Sequence, residues 1–156
     1  MTELEKSLKG DKIQSLKLRK PLCVLRGTTL REVFRRMRDE KKGHAIVLDG
    51  EQVVGIFTER DVLTKVIEQK VSPETPVEKL MTPNPKVLSL EDSVAKAIEI
   101  MNKGKYRHLP LIDGDGKVQG VLGVRDIIRY LAEHFPHEVY NLPPNPHQVM
   151  RSQEGA

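Results

Sequence analysis

The sequence has a single cysteine, Cys23, no tryptophan, and only 4% aromatic residues over 156 positions. One thiol cannot close an internal disulfide, so a reducing compartment, the cytoplasm, is the expected setting. Cys23 sits in the apolar run Leu22 to Leu25 and reads as packing rather than as a nucleophile. The scarcity of aromatics leaves no basic–aromatic interleaving of the kind that stacks nucleic-acid bases. No apolar run approaches the ~20 residues of a membrane helix. The charged stretch from Met1 to Asp11 has no apolar signal-peptide core. Metal spacing is also missing: His134 and His137 flank Pro136, which spoils a helical ligand face. The glycines around Asp113 form a hairpin turn, without the strand-to-helix passage of a phosphate loop or the terminal Glu of a calcium loop. No nucleophile stands in a recognisable context. The chain is therefore read as a non-enzyme.

What remains is 38% hydrophobic and 31% charged, a composition that suits one ordinary globular domain. The formal charge of +4 and a pI of about 9.2 permit phosphate partners without naming one. Arg31, Arg35, Arg36 and Arg38 share one predicted helix and read as a solvated face before a nucleic-acid surface.

The chain carries one signature twice. Gly55-Ile56-Phe57-Thr58-Glu59-Arg60-Asp61 recurs as Gly120-Val121-Leu122-Gly123-Val124-Arg125-Asp126, at an offset of 65. Upstream the offset is 64, and it pairs Pro21, Met37, His44 and Asp49 with Pro85, Met101, His108 and Asp113. Each copy is too long for a solenoid unit, and two copies nearly fill the chain. The spacing predicts the same elements in each half. Leu22–Val24 and Lys86–Leu88 are short strands. Thr28–Asp39 and Glu91–Lys103 are helices, with apolar residues at i, i+3, i+4 and i+7. Thr28 or Thr29 is expected to cap the first, and Ser89 or Asp92 the second. A hairpin follows in each half, Ala45–Leu48 with Gln52–Phe57 and Leu109–Ile112 with Val118–Leu122, and a helix starts at Thr58 or Gly123. The expected fold is α/β (α+β), two β-α-β-β-α repeats. The domain limits are 1–12 as a flexible lead-in, 13–71 and 72–135 as the repeats, and 136–156 as a proline-rich tail.

Three elements, Val77-x-x-Leu80-Met81-Thr82-Pro83, Tyr106-Arg107-His108-Leu109-Pro110-Leu111-Ile112-Asp113 and the Gly-x-x-Thr-x-x-Asp ending at Asp61, resemble a tandem pair of cystathionine-beta-synthase (CBS) domains, or Bateman module. The resemblance covers roughly Ile13 to Ala132. It implies halves packed through their sheets about a pseudo-twofold axis, with two clefts that take AMP, ADP, ATP or another adenosyl ligand. It further implies a homodimer. With no catalytic domain attached, the pair is expected to stand alone and to act on an effector protein in trans. The tail is a candidate contact for that effector.

By the same resemblance, Asp61 and Asp126 bind ribose hydroxyls. For Asp61 a second role stands beside this one, because Thr58-x-x-Asp61 is also a helix-start pattern. Asp126 is less completely explained by capping, since Gly123 has no hydroxyl, and the second site is expected to be weaker or to bind through backbone N–H groups. Arg107 and His108 fit phosphate at a strand start, as does His44, although Gly43 replaces the matching arginine. Arg60 and Arg125, beside the aspartates, are further phosphate candidates. Thr82, Pro83 and the strand through Val87 are expected to line the second half's adenine slot, Lys20, Leu22 and Cys23 the first half's, and Pro110 is a further nucleotide-binding candidate. The reading is an adenine-nucleotide sensor. Its rivals are a structural dimer with degenerate clefts, a nucleic-acid-binding module, and a nucleotide hydrolase.

Overall fold

The structure, a computed structural model, describes residues 2–137. Each half is strand, helix, strand, strand, helix. The first half comprises β1 (Cys23–Leu25), α2 (Leu30–Asp39), β2 (His44–Asp49), β3 (Gln52–Thr58) and α3 (Glu59–Asp61), which continues as a π-helical stretch over Val62–Ile67. The second comprises β5 (Leu88–Ser89), α4 (Val94–Gly104), β6 (His108–Ile112), β7 (Val118–Gly123) and α5 (Val124–His134). Two further elements are α1 (Glu3–Gly10) and the short strand β4 (Thr82–Pro83).

Residues 1–12, expected as a flexible lead-in, hold helix α1. Thr2 and Glu5 form a capping box, the Thr2 hydroxyl accepting from Glu5 N–H and the Glu5 carboxylate from Thr2 N–H. The helix runs beside α4. Asp11 anchors the join, its carbonyl accepting from Val94 N–H and its carboxylate from the Tyr130 hydroxyl. Beyond its first two residues, the predicted tail lies outside the described residues.

The first sheet has the order β1-β2-β3-β4 and the second β5-β6-β7. The outer pair in each, β1–β2 and β5–β6, is parallel, while the hairpins are antiparallel. Each hairpin shifts register once, between Val47 and Leu48 and between Leu111 and Ile112. The strand β5 starts one residue later than its counterpart. In the first sheet Ile46 N–H donates to the Leu22 carbonyl at 2.8 Å. Pro110 occupies the matching place in β6 and has no N–H to give, so Val87 is left outside the ladder.

Thr29 caps α2, with its hydroxyl accepting from Glu32 N–H. The cap of α4 is Ser93 rather than Ser89 or Asp92, and the Asp92 carboxylate instead accepts from Ser89 N–H in the turn before it.

The segment that leads into each half docks on the other half. The 3₁₀ turn Val77–Lys79 precedes the second repeat, yet Val77 and Leu80 lie in the core of the first, with Leu22, Leu30, Val33, Ala45 and Phe57. Conversely, Ile13, fully buried, packs in the second core with Leu88, Leu109, Leu111 and Leu122. The backbone repeats the exchange. Val77 N–H donates to the Thr28 carbonyl, and Ile13 N–H to the Asp92 carbonyl. Strand β4 pairs with β3, and Arg19 bridges to Val121 of β7. The limits 13–71 and 72–135 therefore divide the sequence repeat, whereas each packed lobe borrows its first turn from the other. Met81, carried in with β4, lies against Gly55, where any Cβ would overlap its thioether.

Two contacts between equivalent residues mark the pseudo-twofold axis. Gln52 bridges Lys117, its counterpart at offset 65, and the His44 ring faces the ring of His108, its counterpart at offset 64.

Candidate functional site

The axis opens into a cleft of about 860 Å³ between the halves. Four places in the chain build it. Arg19 comes from the first lead segment. The end of α2 and the start of β2 bring Met37, Arg38, Lys41, Lys42, Gly43 and His44. The second half brings Arg107 and His108 at the head of β6, Val121 and Gly123 on β7, and Val124, Arg125 and Asp126 on the first turn of α5. Glu59 completes the lining. The side chains meet here because the β2–β3 and β6–β7 hairpins end at the axis, with His44 opposite Thr58 and His108 opposite Gly123.

The cleft is strongly basic. Six cationic side chains line it against two carboxylates, Glu59 and Asp126. Among the described residues, Arg19, Lys41, Lys42, Arg107 and Arg125 form no ion pair, while Arg38 is turned to Asp39. Such a set of unmatched cations attracts a multiply charged anion, and the arginine forks suit phosphate oxygens.

Asp126 is buried, yet both carboxylate oxygens have partners. Its Oδ2 accepts from Gly123 N–H at 2.7 Å, and its Oδ1 lies 3.5 Å from Arg129. The capping absent on the hydroxyl side is thus supplied by the backbone. Asp61 is held similarly. Its Oδ2 accepts from Thr58 N–H at 2.9 Å and Thr58 Oγ1 at 3.1 Å, and its Oδ1 pairs with Lys65 at 3.1 Å. An ionised carboxylate offers about four acceptor positions, so each aspartate keeps spare capacity for ligand hydroxyls.

The two histidines are the unusual groups. His44 is 8% exposed, and its Nε2 has no hydrogen-bond partner among the described residues. Burial pushes its pKa down to about 4, helped by His108, Lys42 and Arg19. The pKa of His108 is also lowered by burial, with Asp126 and Glu59 opposing the shift and Arg107 and Arg125 reinforcing it.

A family profile described as CBS domain matches residues 13–68 and 71–133. The chain belongs to the CBS-domain family. Among relatives, the CBS domain-containing protein CBSCBSPB3 of Arabidopsis thaliana is 44% identical over 94 residues, 60% of this chain. This chain covers only 17% of that protein. A 17.7 kDa protein of Acidianus ambivalens is 32% identical over 78% of this chain and 74% of its own length. Among solved structures, the CBS domain protein PAE2072 of Pyrobaculum aerophilum, complexed with AMP, superposes with a TM-score of 0.70 at 25% identity. That match covers 79% of this chain and 99% of the other. The fold is the CBS pair, with its pseudo-twofold arrangement of two β-α-β-β-α repeats.

Within this CBS pair the expected site residues divide unevenly. His44, Arg107, His108, Gly123, Arg125 and Asp126 share the axial cleft. Thr58 and Asp61 bond to each other at the matching helix start but do not line it, and Arg60 is exposed beside them. Pro110 is buried in mid-β6 against Val121, and Val87 is half-buried ahead of β5.

The exchange of lead segments corrects the grouping of Thr82 and Pro83. Thr82 and Pro83 pair with Ile56 and Gly55 on β3, the strand that leads to Asp61, rather than lying in the Asp126 half. Lys20 and Cys23 line a separate cleft of about 780 Å³ with Arg36, Glu40, Val118 and Gln119, which reaches β7 of the second half. Burial there raises the Cys23 pKa, in keeping with a thiol that packs rather than reacts. Arg19, Arg38, Lys41, Lys42 and Glu59 were missed. The basic pair Lys41-Lys42 just ahead of the β2 histidine was the available signal. Among the described residues no metal-binding cluster of His, Cys, Asp and Glu occurs, and no helix is long and apolar enough to cross a membrane.

Proposed function

We propose that this CBS pair is a regulatory module that binds an adenine nucleotide in the axial cleft and signals its occupancy to an effector protein in trans. The observation that carries this reading is the unmatched basic lining of the cleft beside the buried carboxylate of Asp126. Arg107 and Arg125, with Arg19 and Lys42, grip the phosphate. Asp126 accepts the ribose hydroxyls through its spare lone pairs. The AMP complex of the Pyrobaculum aerophilum CBS protein supports the adenosyl class of ligand. Regulation follows from differential affinity: a ligand that bridges Arg19 and the α2–β2 turn to the first turn of α5 favours one arrangement of the halves over another. Binding and release suffice for this role, with no bond made or broken.

The exposed apolar side chains Leu63, Ile67 and Ile128 lie on the two halves' last helices, Leu63 and Ile128 being equivalent at offset 65. They supply an apolar face for the homodimer that the reading includes.

The test is thermal. A ligand that binds only the folded state at a hundredfold excess over its Kd adds about 2.7 kcal/mol. For a domain of this size the melting temperature then rises by roughly 2–4 °C per kcal/mol. AMP, ADP or ATP should give that rise, and guanine and cytosine nucleotides less. Flat melting curves with all adenine nucleotides at millimolar concentration would replace this reading with that of a structural dimer.

A further inference from the structure

We propose that His44 and His108 form a single phosphate seat on the pseudo-twofold axis, which takes up a phosphate dianion together with a proton from solvent. The inference rests on the nucleotide reading above and adds to it a requirement for the proton.

The geometry is specific. One imidazole comes from each half, at the head of β2 and of β6, and the ring centroids lie 4.5 Å apart with a 32° tilt. Both rings line the axial cleft. His44 Nε2 is buried and has no partner among the described residues, a costly arrangement unless something else occupies the site at work. Two imidazolium rings this close repel, and burial disfavours even a single charge on the pair without ligand. The groups facing each ring act in the same sense for His44 and in opposed senses for His108. Lys42, from the turn before β2, and Arg19, from the first lead segment, disfavour a charge on His44. Arg107, ahead of β6, and Arg125, on α5, disfavour one on His108, whereas Asp126 of α5 and Glu59 of α3 favour it.

A phosphate dianion in the cleft, placed against the edges of both rings, reverses this balance, because its charge is close to both and outweighs their mutual repulsion. A ring nitrogen then takes a proton from solvent, and the resulting N–H donates to a phosphate oxygen. The phosphate remains a dianion and the complex gains one proton overall. Adenosine carries no such charge and binds without the proton. Gly123 leaves the ring room: a Cβ there would stand 3.3 Å from His108 Cδ2. The asymmetry between the halves points the same way. Gly43 replaces the arginine that precedes His108, and the Glu59 carboxylate fills the space, its Oε1 3.1 Å from where a Cβ would lie. The seat is therefore shared, and the arginine directly ahead of the histidine comes from one side only.

The experiment is nitrogen NMR of ring-labelled histidine in the whole chain, with His44→Gln and His108→Gln variants to assign the signals. At pH 7 both axial rings should give neutral-imidazole signatures without ligand. Saturating AMP should convert at least one to the imidazolium signature, and saturating adenosine neither. In parallel, the Kd for AMP should weaken by up to about tenfold per pH unit as pH rises through the ligand-bound pKa. The double Gln variant should lose that slope, which separates a ring proton from one carried by the phosphate itself. AMP that saturates the protein, moving other resonances while both axial rings stay neutral, would overturn the seat and leave the nucleotide reading standing. If neither AMP nor inorganic phosphate moves any resonance, both fall.

Discussion

Lowering the pH from 7 to 4 should destabilise the ligand-free protein by about 3 kcal/mol through His44 alone. The folded state holds the His44 pKa at about 4, against 6.5 for an unhindered ring. The unfolded chain thus binds a proton that the folded chain refuses throughout this window. Stability from this source is complete above pH 6.5 and falls as pH descends toward 4. His108, also shifted downward, adds to the loss in the same direction. Carboxylates held below their usual range by hydrogen bonds, such as Asp113 in the β6–β7 turn, lose their contribution only under more acid conditions. Urea unfolding at a series of pH values measures the effect. His44→Gln should flatten the stability profile between pH 7 and 4. An unchanged slope in that variant would place the proton uptake elsewhere.

The second large effect concerns the crossed lead segments. Ile13→Ala should cost about 2–5 kcal/mol, as for a fully buried aliphatic side chain cut to a methyl. The loss should appear in the second lobe, because Ile13 packs against Leu88, Leu109 and Leu122 although it opens the first repeat. Amide exchange can read this directly. Protection should fall across β6, β7 and α5 at least as much as in β2 and β3. Loss confined to the first lobe would contradict the exchange. Val77→Ala makes the mirror prediction for the first lobe.

The repeat, its element order and its hairpins were legible because period and turn chemistry are local. Leu30, Val33 and Met37 fall on one helical face whatever they pack against, and all three are buried. The exchange was not legible. Ile13-x-x-Leu16 and Val77-x-x-Leu80 announce an apolar turn, but an apolar turn carries no mark of which core receives it. That ambiguity also misplaced Thr82 and Pro83. Ser89, Asp92 and Ser93 are all competent caps, and the choice of Ser93 is set by where the chain enters α4 rather than by residue type. Helix α1 was missed despite the Thr2-x-x-Glu5 pattern, because its face has no buried residue and so no strong apolar period.

At the site, sequence found the polar residues of the second half but only His44 of the first. Arg107, His108, Arg125 and Asp126 follow the family motif and converge in the cleft. Arg38, Lys41 and Lys42 belong to no motif. They reach the cleft because Lys41, at φ 53°, ends α2 in the left-handed region and turns the chain straight into β2. Lys105 does the same after α4, at φ 55°. A positive φ at lysine has no sequence signature, so beyond the basic pair Lys41-Lys42 itself nothing local announces that the chain turns these cations into the cleft.

The central claim is that the axial cleft recognises a nucleotide through its phosphate and its ribose separately. Calorimetric titration of AMP and of adenosine into wild type, Arg107→Ala and Asp126→Ala at one fixed salt concentration tests it most directly. Arg107→Ala should weaken AMP while leaving adenosine nearly unchanged, whereas Asp126→Ala should weaken both, by about 1.5–3 kcal/mol for a lost charge-assisted hydrogen bond. Equal affinities for all three proteins, or no binding of either ligand to wild type, would contradict the account.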